Sequence, residues 1–373
     1  MLLFLLFVIL WGVLLLNVKE QHMKQQMVWI SMGLIWLYWG FSYTNAADTG
    51  GYMGFFDMLH TNGWVLDSLY GSSAGNMEPG TFILMQLCKK ISDSYYFFQA
   101  VILLIDMCLS YCGLRKLLGN NEQPLLFFLL FTFHTTIYLS AMRQGVAIAI
   151  MIFCLPLFRD NKFWIYIPLL LLAIFFHQSA ILLFAIPVVM LLIKIVKIGG
   201  IVGRTSLLII FAICNICHLF EINAASLIEN VLGDFVYDSS LSTSRELTIG
   251  DSMKESSFGF LKVLEMDTIY LIFFFSNKGW KTDNLNYLAA FFFAYFGLNM
   301  LVGGIVIHRL TYYLEIPYYF IVFESLRYLL KNKLKFGLSL SNSLIYIYMF
   351  ALFVVQSLSG GNYIFKYQLI ELF

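Results

Sequence analysis

The chain has 373 residues, is 60% hydrophobic and has a mean hydropathy of +0.79. Soluble domains run about 45–50% apolar, and here the excess covers almost the whole length, which excludes a soluble domain with one anchor. Charged residues make up 12% and the net charge is +1, which leaves no basic surface for nucleic acid.

A spanning helix needs about 20 mostly apolar residues. The sequence predicts twelve, near 1–18, 27–45, 95–114, 124–141, 143–158, 162–177, 178–193, 205–221, 263–277, 285–306, 309–327 and 340–357. The first has no basic stretch ahead of it and no clear cleavage site, so it reads as a span rather than a leader. The expected fold class is all-α: a single polytopic integral membrane domain over 1–373. Two stretches interrupt the apolar pattern. Residues 46–94 hold a glycine-rich polar run and then an amphipathic piece. Residues 222–262 are polar, with serine and threonine clusters.

The six cysteines, Cys88, Cys108, Cys112, Cys154, Cys214 and Cys217, lie in apolar stretches. They read as small buried residues, not a disulfide frame. Cys214-Asn-Ile-Cys217-His218 spells a haem-attachment motif, but it falls inside an apolar span, so packing is the better reading. No phosphate-binding glycine loop, nucleophile elbow or zinc spacing is present. No cofactor and no metal are expected.

Lys and Arg in the loops set orientation. With the N-terminus outside, inward loops collect Lys19 and Lys24, Arg115 and Lys116, Arg159 and Lys162, Lys194 to Arg204, Lys278 and Lys281, and Arg327 to Lys335. That is 15 of the 23 basic residues. Both polar stretches then face outward.

The informative charges are those that break this bias. Arg143 opens a helix in Ser-Ala-Met-Arg-Gln-Gly. Guanidinium and free backbone N–H groups there suit a phosphate or diphosphate, with Gln144 beside it; the plainer reading is an arginine snorkelling to headgroups. Arg309 starts another outer helix, beside His308 and one turn before Tyr312 and Tyr313. His177, in Phe-Phe-His-Gln-Ser-Ala, sits at an outer hairpin, where a neutral imidazole accepts a proton or bonds a sugar hydroxyl. Asp48, Tyr52 and Glu78 lie in the first outer stretch, where two carboxylates facing two arginines suit a base and a positioning group. Solvated loop acids are the plainer alternative.

Asp48 with Tyr52, Glu78-Pro-Gly80, Arg143-Gln144, Phe176-His177-Gln-Ser-Ala180 and Arg309 with Tyr312-Tyr313 together resemble the EpsG family of Wzy-type polysaccharide polymerases. Each piece is short; their order and common outward side carry the likeness, from about residue 40 to about residue 320. The resemblance implies a glycosyltransferase at the outer, periplasmic face of a bacterial inner membrane, related in architecture to the GT-C type. Its partners would be undecaprenyl-diphosphate-linked oligosaccharides, membrane lipid and a chain-length regulator. A growing glycan would pass to the sugar end of a lipid-linked repeat unit. Arg143 and Arg309 would bind the leaving diphosphate, with His177, Asp48 or Glu78 as base. Tyr52, Gln144, His308, Tyr312 and Tyr313 would contact substrate. A single displacement would invert the anomeric centre. An O-antigen ligase-like transferase, a lipid-linked glycan flippase and a membrane O-acyltransferase are the competing readings.

Overall fold

The computed structural model describes residues 20–41, 49–59, 77–118, 141–160, 162–188, 201–220, 260–276, 286–301, 305–337, 340–341, 343–345 and 347–348. Every described element is helical, and no strand occurs among the described residues. The helices are α1 (Gln21–Gly40), α2 (Thr49–Met58), α3 (Pro79–Ile91), α4 (Tyr95–Leu118), α5 (Met142–Arg159), α6 (Phe163–Phe176), α7 (Ile201–Leu219), α8 (Phe260–Ser276), α9 (Asn286–Leu301) and α10 (Ile305–Tyr328). A 3-10 helix, Gln178–Phe184, follows α6, and a π-helical turn, Leu329–Lys333, follows α10. The spans expected at 1–18 and 124–141 lie outside the described residues. The span expected at 178–193 begins as 3-10 rather than α-helix.

Helix α4 has 24 residues, about 36 Å at 1.5 Å per residue, enough to cross a hydrocarbon core of about 30 Å. Among the described residues it is the one helix that passes by both length and composition. Arg115 and Lys116 close its last turn, where cations meet the negative helix end. Its outward stripe carries Leu104, Cys108 and Cys112, all exposed. The reading of every cysteine as buried therefore fails at Cys108 and Cys112, and Cys217 is only half-buried. The two exposed thiols sit on an apolar surface, which a small soft side chain suits equally well. Helix α6 is apolar all round and exposes Trp164 at 89%, with Ile165, Leu171 and Leu172 beside it. On α7, Ile209, Ile213 and Leu219 are exposed as well. Apolar surface on this scale is costly in water and natural in lipid. The chain is a helical membrane protein.

The contacts sort the chain into two compact units, one holding residues up to Ile181 and from Asn342 on, the other Leu182–Ser341. In the first unit α4 packs on α1 and α5, α6 packs on α5 and α3, and α2 rests on α3 and α4. Small residues set these contacts. A Cβ on Gly113 would meet the Ile152 carbonyl and lie 2.8 Å from Phe153 Cα, so only glycine lets α4 and α5 touch there. Tyr95 Oη donates to Met142 Sδ at 3.7 Å on the same pair of helices. Trp36 Nε1 donates to the Ala100 carbonyl at 2.8 Å, tying α1 to α4.

In the second unit α10 packs on α8 and α9, and α7 on α9. Aromatic rings fill it: Phe292 and Tyr318 stack at 5.5 Å and 7°, and Tyr295 and Tyr318 at 4.2 Å. Tyr270 Oη donates to the Leu207 carbonyl at 2.7 Å, and Asn215 Nδ2 donates to Asp267 Oδ1 at 3.1 Å. Polar bonds between apolar helices give orientation that lipid-like packing alone does not.

Gly113→Ala puts a methyl against backbone that no rotamer change can clear. The expected loss is about 1–3 kcal/mol, read as a lower melting temperature in detergent. Gly33→Ala, with nothing within 4 Å of the added methyl, should leave it unchanged or raise it slightly.

Candidate active site

Four elements of the first unit deliver one polar cluster. Glu78 stands at the N-cap of α3, with Pro79 at the first helical position. A residue before proline is kept out of helical backbone, and Glu78 is extended at φ −59° and ψ 139°. Its carboxylate is therefore carried at the mouth of the helix rather than on its flank. Arg143 lies in the first turn of α5, whose N-cap is Ala141 with no side-chain cap. The leading N–H groups of that helix have no intrahelical acceptor. His177 caps the C-terminus of α6 in extended backbone, its N–H held by the Ala173 carbonyl at 2.9 Å. Tyr52 comes from α2 and is buried.

Glu78 joins the set. Its Oε2 accepts a hydrogen bond and ion pair from Arg143 Nη1. Its Oε1 lies 2.8 Å from His177 Nδ1. An ionised carboxylate only accepts, so Nδ1 carries the hydrogen, and in the neutral imidazole the lone pair is then on Nε2. Tyr52 Oη accepts from Arg143 Nε at 3.0 Å, and its ring lies 5.8 Å below the guanidinium. Exposure grades across the cluster: the Glu78 side chain keeps 10%, His177 19% and Arg143 28%. The carboxylate is thus the enclosed centre, and the cation and imidazole are its open edges. Among the described residues nothing meets Arg143 Nη2 or His177 Nε2.

Burial works to raise the proton affinity of Glu78. The hydrogen bond from His177 and the charge of Arg143 outweigh it and hold the carboxyl below its ordinary value of 4.5. Glu78 is therefore ionised at neutral pH with both oxygens occupied. That fits a positioning group better than a free base.

Gly80 makes the junction possible. A Cβ there would lie 2.9 Å from both the carbonyl oxygen and ring Cδ1 of Phe175. The start of α3 therefore rests directly on the end of α6, two residues from His177 on one side and two from Glu78 on the other.

Of the sequence candidates, Tyr52, Glu78, Arg143 and His177 come together. Gln144 is buried at 2%. Tyr312 and Tyr313 sit on α10 in the second unit, Tyr313 buried. His308 and Arg309 fall within that same helix, but their side chains lie outside the described residues, as does Asp48. Sequence reading quoted Gly80 within the Glu78-Pro-Gly80 motif but missed its packing against Phe175. It also did not indicate that Tyr52 Oη accepts from Arg143. Among the described residues no cluster of three His, Cys, Asp or Glu side chains is placed to hold a metal ion.

Gly80→Ala should part α3 from α6 and stretch the Glu78–His177 bond. The added methyl has backbone on one side that no rotamer change can clear, so the melting temperature in detergent should fall, by the equivalent of about 1–3 kcal/mol. A wild-type melting temperature would show that the glycine contact does not set the site.

No curated protein and no solved structure matches the chain. One family model does, over residues 2–369, and it is described as the EpsG family. This match takes in nearly the whole chain, including every residue of the cluster, and is consistent with a Wzy-type polysaccharide polymerase. The chain belongs to the EpsG family.

Proposed function

We propose that the protein is a glycosyltransferase that polymerises a polysaccharide from lipid-linked repeat units. It takes a growing glycan on undecaprenyl diphosphate and transfers it to the sugar end of a lipid-linked repeat unit. The reaction runs at the outer face of the bacterial inner membrane. The observation that carries this reading is the Glu78 carboxylate joined at once to Arg143 and His177. A cation and a base held side by side are what transfer from a diphosphate to a hydroxyl requires.

The roles follow from the open edges. The Nη2 edge of Arg143, which nothing meets among the described residues, binds the leaving diphosphate, aided by the positive end of the α5 dipole. The acceptor hydroxyl attacks the anomeric carbon of the donor. Its proton goes to His177 Nε2. The bond from that carbon to the diphosphate oxygen breaks, and its electron pair leaves on the diphosphate. A single displacement inverts the anomeric centre. Glu78 fixes the tautomer of His177 and the fork of Arg143, and Tyr52 holds the other edge of the guanidinium. Arg309, with Tyr312 and Tyr313, is proposed on sequence grounds to add a second cation and sugar contacts. Asp48 stays a candidate catalytic carboxylate, and Gln144 and His308 keep the substrate contacts the family resemblance implies.

Outward orientation is supported by the basic bias of the loops. That bias assigns positions 78, 143 and 177 to one compartment, and these three side chains touch. Architecture of the GT-C type remains part of this proposal.

Arg143→Ala should leave single repeat units on the cell surface that are not extended into long chains. Arg143→Lys, which keeps charge but loses the planar fork, should recover only part of the length. His177→Ala should slow polymerisation by about 100-fold or more. Unchanged chain length in Arg143→Ala, read on a carbohydrate gel, would sink the assignment.

A further inference from the structure

We infer that negative charge on an anion held at Arg143 and a proton held on His177 Nε2 favour one another, through the one carboxylate the two residues share. The inference rests on the polymerase reading above and adds to it how the two halves of the site are coupled.

Glu78 carries one negative charge and has two claimants. Oε2 is held by Arg143 and Oε1 by His177 Nδ1 at 2.8 Å. With Arg143 paired at Oε2, much of that charge is balanced there, and the imidazole faces a carboxylate shared with a cation. The elements packed on α6 are α3 and α5. The charged groups they turn toward His177 are Glu78 and, behind it, Arg143. Tyr52 stands on the far side of Arg143, on its Nε.

A diphosphate on the open edge of Arg143 that gains charge as its bond to the sugar breaks changes this balance. Its added negative charge offsets that of the guanidinium and competes with Oε2 for Nη1. Oε1 stays on His177. The charge of Glu78 then has the imidazole as its partner, and a proton at Nε2 is favoured. The site is enclosed, with the Glu78 side chain 10% exposed, so water screens the transfer of charge poorly. His177 therefore holds the proton taken from the acceptor hydroxyl as charge develops on the leaving group. Once the diphosphate departs, Arg143 returns to Glu78 and the proton leaves Nε2 for water. The cycle closes with the proton of the acceptor hydroxyl delivered to solvent.

Coupling of this kind is reciprocal. If an oxyanion favours the protonated imidazole, the protonated imidazole favours the oxyanion. The full-length protein in lipid nanodiscs can be titrated with inorganic sulfate, a divalent oxyanion whose charge is constant where imidazoles titrate. Calorimetry in two buffers of different ionisation enthalpy reads the protons taken up. Wild type should take up protons on binding, and its affinity should rise as pH falls, by up to about tenfold per pH unit for one linked proton. His177→Ala should bind sulfate with no uptake. Glu78→Gln should bind it with uptake well below wild type, and Glu78→Asp serves in its place if the amide variant does not fold. Sulfate binding by wild type without proton uptake, or equal uptake in wild type and Glu78→Gln, overturns the coupling and leaves the anion site standing. Absence of sulfate binding, or binding undiminished in Arg143→Ala, removes the anion site, and with it both the coupling and the polymerase reading.

Discussion

The arrangement of the first unit turns on one carboxylate with no oxygen to spare. Glu78 is nearly enclosed, and an enclosed charge is tolerated only when paired and hydrogen-bonded. Arg143 supplies the pair and His177 the second bond. Each partner depends on it in turn. Without Glu78 the guanidinium would be left mostly buried beside a lone tyrosine hydroxyl, and the imidazole would lose what fixes its tautomer. The ends of α2, α3, α5 and α6 are thus held by four side chains around a single negative centre.

The surroundings make that centre worth more. The helices below it are apolar on their buried faces and on their outer faces alike. A low-dielectric floor strengthens each charge contact at the mouth of the bundle. It also suits a substrate whose long hydrocarbon tail lies in the bilayer while its diphosphate and sugar stay at the surface. Fold and proposed chemistry share this boundary. On the proposed function, the apolar surface that marks a membrane protein would hold the lipid tail, and Arg143 in the first turn of α5 would meet the anion at the positive end of that helix. Gly80 and Gly113 serve the chemistry indirectly, because each removes a methyl that would hold two helix backbones apart.

Much of this was legible in the sequence, and the limits have physical causes. Spans such as 95–114 and 162–177 show in hydropathy alone, because lipid sets both length and composition. Arg143 stood out because it breaks the basic bias of the inward loops. Glu78 and His177 stood out as polar groups at the ends of apolar runs. Their pairing was not legible. It rests on contacts between residues 65 and 99 positions apart, and no local pattern encodes which oxygen meets which nitrogen. The bond from Arg143 to Tyr52 was hidden for the same reason, since the two lie 91 positions apart. Periodicity could not separate exposed Cys108 and Cys112 from buried Cys88, because in a membrane an apolar position faces lipid as readily as it faces protein. The 3-10 start at Gln178–Phe184 was likewise hidden, since hydropathy does not tell a 3-10 helix from an α-helix.

The central claim is that Glu78 organises Arg143 and His177 into a site for glycosyl transfer. It is tested most directly by purified protein in nanodiscs supplied with an undecaprenyl-diphosphate-linked repeat unit. Products are resolved by length and the released lipid diphosphate is counted. The account predicts chains longer than the input, one lipid diphosphate freed per new linkage, and a loss of about 100-fold or more for Glu78→Gln. Repeat units left unextended by the wild-type protein, or extension by Glu78→Gln at the wild-type rate, would contradict it.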